Sequence, residues 1–72
     1  MARQQHVQDI RAVLAAQAEG VPVAQLARDA GLTRAGVYKA LADGAHPRME
    51  TLQRIAAALG YRIVLEQARK AA

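Results

Sequence analysis

Arg34, Tyr38 and Lys39 fall within two helical turns of one another in the stretch "LTRAGVYKAL". A guanidinium offers five donors in a flat fork, an ammonium three rotating donors, and a phenol one hydroxyl beside a stacking ring. Such groups suit an acceptor-rich, anionic partner better than bond-breaking chemistry. The rest of the inventory agrees. The chain has no Ser, Cys or Asn, and its only hydroxyl groups belong to Thr33, Tyr38, Thr51 and Tyr61. None of these stands beside a base in the manner of an activated nucleophile. His6 and His46 lie in separate segments and read as surface residues rather than metal ligands. The glycines never assemble into a phosphate-cradling GxxxxGK[ST] loop. An enzyme, a cofactor and a metal site are therefore not expected.

Composition bounds the scaffold that must present these groups. The 72 residues suffice for one domain near the lower limit of a self-sufficient core. Aromatic content is 3% and alanine is abundant, so helices must approach closely to bury enough area. The formal charge of +4 and a pI near 10.4 favour an anionic partner. Without Cys no disulfide can form. The opening "MARQQHVQDIR" lacks the apolar stretch of a secretory signal, and no apolar run approaches the ~20 residues of a membrane span. A cytoplasmic protein with no membrane partner is expected.

Periodicity places four helices. Residues 4–18 carry Val7, Ile10, Leu14 and Ala18 on one stripe, which Val13 widens. Gly20 and Pro22 separate this helix from a brief second one over 23–30. Gly31 suits a reversal that needs positive φ, Leu32 is an apolar plug, and Thr33 has the chemistry to cap a third helix over 34–42. Gly36 inside that helix costs ~1 kcal/mol relative to Ala, which suggests the close approach of another helix. After the turn-rich "DGAHP", Leu52, Ile55, Ala56 and Leu59 mark a fourth helix over 49–59. In "YRIVLEQ" apolar Tyr61, Ile63 and Leu65 alternate with Arg62, Val64 and Glu66, which predicts a short strand over 61–66. Residues 67–72 form a basic tail.

Two helices joined by a short Gly-containing turn make a helix-turn-helix unit, whose second helix fits the major groove of duplex DNA. Across residues 23–42 the buried places fall on Leu26, Ala27, Ala30, Leu32, Val37 and Ala40, with Ala27 small where the helices meet.

With these positions, "VAQLARDAGLTRAGVYKAL" and "HPRMETLQRIAAALGYRI" resemble the Cro and phage-repressor group of helix-turn-helix proteins, the XRE type. The likeness is strongest to the small antidote (antitoxin) proteins of bacterial addiction modules. It covers about 21–65 and rests further on Pro47, Thr51-Leu52, Ala58-Leu59-Gly60 and Tyr61-Ile63. Val23 stands where the family often has a polar phosphate contact, and Arg48 where a capping Ser or Asn is common. The resemblance implies an all-α, lambda-repressor-like four-helix domain with a short C-terminal β-strand, residues 1–66. It also implies double-stranded DNA as partner and a bacterial or phage, nucleoid-associated setting.

Within that resemblance, Arg34 is the residue for base reading, because its fork can bond guanine O6 and N7 together. Ala35 can pack its methyl on a thymine methyl. Lys39 reaches a base or a phosphate; Tyr38 does either, or shields the helix. Thr33 bonds a phosphate at the positive helix end, and Gln25, His46 and Arg48 contact the backbone and fix register. The competing reading of Arg34 and Lys39 is a solvated helical face.

One short helix reads few base pairs, so a two-fold homodimer with two such helices ~34 Å apart on a pseudo-palindromic site is expected. Antiparallel pairing of the strand, through Tyr61, Ile63 and Leu65, would build it; the alternative is a strand packed on its own domain. The function expected is a sequence-specific, autoregulatory transcriptional repressor. The alternative is an antitoxin that also binds a toxin, docked on the outer helices or the tail. An RNA reader would display more aromatic side chains.

Overall fold

The computed structural model describes residues 5–64, with side chains from Asp9 onward. Four helices follow in order: α1 (Gln5–Gln17), α2 (Val23–Ala30), α3 (Arg34–Leu41) and α4 (Met49–Ala58). The all-α expectation is borne out, and each helix lies within a residue or so of its sequence reading. The side chains of His6 and Val7, the residues Leu65 and Glu66, and the basic tail 67–72 lie outside the described residues.

The core is alanine-lined. Leu14, Leu26, Ala27, Ala30, Val37, Ala40, Leu52, Ile55 and Ala56 are buried, and Leu52 and Ile55 have no exposed surface. Four of these nine are alanines (Ala27, Ala30, Ala40 and Ala56), so small side chains fill nearly half of the buried positions. α2 packs on both α3 and α4, while α1 lies across α3 and α4. Leu32 and Leu41 are half-buried and close the two ends of α3 against this core.

The α2–α3 reversal works as the sequence implies. Gly31 sits at φ 71°, ψ 32°, and the Leu32 N–H donates back to the Ala27 carbonyl at 2.8 Å while the Gly31 N–H donates to Arg28 at 3.2 Å. These bonds satisfy two of the last four carbonyls of α2, and an L side chain pays steric strain at that φ. The same reversal recurs after α4, where the Tyr61 N–H donates to the Ala56 carbonyl at 2.8 Å.

Three expectations are corrected. Residues 61–64 form no strand. A strand needs a ladder partner, and the described residues of a single chain offer none; the first N–H of the segment turns back to α4, and Ile63 packs on the core. Val13 does not widen the buried stripe of α1: it is 57% exposed. The inner stripe runs through Leu14 and Ala18 by way of Arg11, not Val13. Finally, Gly36 is not bare to admit another helix. A Cβ there would lie 3.1 Å from the Thr33 Oγ1 and 3.9 Å from Leu32, so the missing side chain clears the capping hydroxyl.

Candidate nucleic-acid interface

Thr33 opens the site. In extended backbone (φ −84°, ψ 161°) it is the N-cap of α3, and its Oγ1 accepts the Gly36 N–H at 2.9 Å. This removes one of the unpaired donors of the helix start and fixes the direction in which α3 leaves the turn. The hydroxyl proton itself stays available to an outside acceptor.

From that cap, helical spacing divides α3 into two faces. Val37 and Ala40 point into the core at 1% and 5% exposure. Arg34, Ala35, Tyr38 and Lys39 are all exposed, Tyr38 by 64%. Among the described residues neither Arg34 nor Lys39 has an acidic partner. No ion pair among the described residues holds Arg34 or Lys39 to the fold, so their donors remain available to a ligand.

The remaining expected residues separate into two groups. Lys39, His46 and Arg48 line one open cleft of about 660 Å³ between α3, the 42–48 loop and the start of α4, with Thr51 and Asp43 on its wall. Arg48 is the N-cap of α4 and makes no side-chain cap bond, so the first N–H groups of α4 lack a side-chain acceptor from that position. His46 and Arg48 are exposed. Gln25 is exposed on α2 and does not line this cleft; Arg34 and Ala35 do not line it either, although Leu32 and Gly36 on either side of them do. Of the residues expected to pair two chains, Tyr61 is half-exposed and its hydroxyl donates to the Gln17 Oε1 at 2.8 Å, tying the C-terminal segment to α1. Ile63 is partly buried against the core.

Arg11 escaped the sequence reading. It is a buried arginine, 8% exposed, whose Nη1 donates to the Leu41 carbonyl at 2.9 Å and whose Nη2 lies 3.4 Å from the Asp43 Oδ1. The cation thus sits at the negative end of the α3 dipole and fastens that end, with the loop beyond it, to α1. The signal was present in the spacing: Arg11 stands three residues before Leu14 and seven before Ala18, on their stripe. A charge there reads as a break in the stripe unless its partner, distant in sequence, is known.

Residues 3–67 match the family described as "Probable addiction module antidote protein". A curated Haemophilus influenzae protein titled "Uncharacterized protein" is 38% identical over 47 residues, which cover 65% of this chain and 48% of that one. The chain thus spans about half the length of the curated relative it matches. No solved structure matches at a significant level.

Proposed function

The chain belongs to the family of probable addiction module antidote proteins, and on that premise we propose that it is the antidote (antitoxin) of a toxin–antidote pair. In this reading it neutralises a toxin by direct binding and represses its own promoter as a homodimer. The family match over residues 3–67 carries the antidote role, and it favours that role over a stand-alone repressor.

The DNA arm of the proposal is supported by the free outer face of α3. We read α2 and α3 as a helix-turn-helix of the XRE type, with α3 in the major groove. Arg34 bonds a guanine edge, Ala35 meets a thymine methyl, Tyr38 and Lys39 contact bases or phosphates, and Thr33 donates its hydroxyl proton to a phosphate. The cleft of Lys39, His46 and Arg48 follows the sugar-phosphate backbone, and Gln25 holds a second backbone position on α2. Tyr61, Ile63 and Leu65 pair with their copies in a second chain, where the missing ladder partner becomes available.

Two experiments test the arms separately. Co-expression with the product of the neighbouring gene should yield a complex on co-purification and relieve growth arrest by that product; failure of both would remove the toxin partner. A footprint on the protein's own upstream region should protect two half-sites about one DNA turn apart. Binding with equal affinity to random duplex would leave only a charge effect.

A further inference from the structure

A second groove lies away from α3, between α1 and the segment after α4. It has a volume of about 310 Å³ and an apolar floor that includes Ile10, Leu14 and Ile63. Three of the large hydrophobic residues left exposed in the described chain gather on it: Val13 at 57%, Tyr61 at 50% and Val64 at 66%. A surface of this kind gains by being covered. Its rim carries one acid and one base, Asp9 on α1 and Arg62 on the C-terminal segment, both exposed. Among the described residues neither has an ion-pair partner.

We propose that this groove is the second layer of the homodimer interface, and that its occupant is another copy of the same chain. The inference rests on the dimeric reading given above and extends it from the 61–65 segment to α1. Charge complementarity selects the occupant. In a two-fold contact the same patch faces itself, so a patch carrying one acid and one base is complementary to its own copy. Asp9 of each protomer then faces Arg62 of the other, and the bond forms twice. Val13 and Val64 supply the apolar contact between these pairs. No residue of α2 or α3 lines the groove, so a copy seated there leaves Arg34, Tyr38 and Lys39 uncovered for DNA.

Charge reversal tests the arrangement on the 72-residue chain. The wild type should sediment as a dimer. Asp9→Arg and Arg62→Asp should each weaken dimerisation about tenfold or more, since two attractive pairs become two repulsive ones. The double variant D9R/R62D should recover dimerisation to near the wild-type level, with helical circular dichroism unchanged in all three variants. Val13→Asp, on an exposed position, should weaken the dimer as well. A wild-type monomer would overturn both this proposal and the dimeric reading beneath it. A dimer indifferent to all these changes would overturn the groove assignment alone and leave pairing through 61–65 standing. A dimer that persists while co-purification of the neighbouring gene product is lost would assign the groove to that product instead, and overturn the proposal.

Discussion

Replacing Arg11 with Met isolates the link between α1 and the end of α3. The two side chains have similar helix propensity, and Met can occupy the apolar path of the arginine stem, so α1 itself should be unaffected. The losses include the 2.9 Å bond from Nη1 to the Leu41 carbonyl and the 3.4 Å contact with Asp43. A bond from a charged donor contributes about 1.5–3 kcal/mol. Asp43 is fully exposed, so its share of the pairing is screened by water and adds little. Against the loss stands the desolvation that a buried cation no longer has to bear, which in some proteins makes an apolar replacement neutral. Here that relief is partial, because the Leu41 carbonyl is left behind without its donor. A net loss of about 1.5–2 kcal/mol follows, which for a domain this small lowers Tm by about 10 °C. Thermal melts followed by circular dichroism at two salt concentrations measure it, with Asp43→Asn as companion. The expected pattern is a large, nearly salt-independent drop for Arg11→Met and a small change for Asp43→Asn. Equal losses for both would place the stabilisation in the ion pair and refute the carbonyl clamp, and an unchanged Tm for Arg11→Met would refute any clamp.

Thr33→Ala removes the acceptor of the Gly36 N–H and should cost about 1 kcal/mol, seen as a lower urea midpoint with an unchanged m-value. Gly31→Ala forces a Cβ into φ 71° and to 3.2 Å from the Arg54 Nη1; the guanidinium can move, so the backbone term of about 1–2 kcal/mol dominates. Chemical denaturation should register that loss, and an unchanged midpoint would contradict it. On the proposed operator, Arg34→Ala should cost about 1–3 kcal/mol and relax preference at one base pair, measured by titration against single-substitution sites. Lys39→Ala, if its contact is to phosphate, should weaken binding evenly across sequences and reduce the salt slope by about 1.

Local chemistry was enough to settle much of this chain before any coordinates. Gly31, Leu32 and Thr33 specify a reversal, a plug and a cap through φ preference, apolarity and a short hydroxyl, and all three act within a few residues of themselves. The stripe Leu52, Ile55, Ala56 and the exposure of Arg34, Tyr38 and Lys39 follow from helical period alone, because the period decides which face meets the core. The antidote resemblance was likewise legible in the sequence, and the family match agrees with it. Other features depend on groups far apart in the chain. Arg11 is buried only because the carbonyl of Leu41, thirty residues away, returns beside it. Lys39, His46 and Arg48 share a cleft only because the 42–48 loop folds back past α3. Residues 61–64 alternate as a strand does, yet alternation supplies no ladder partner, and in one chain their leading N–H closes on α4. Period and turn chemistry are properties of neighbours in sequence; the partner of a charge or of a backbone edge is decided by which segments the packed helices bring together.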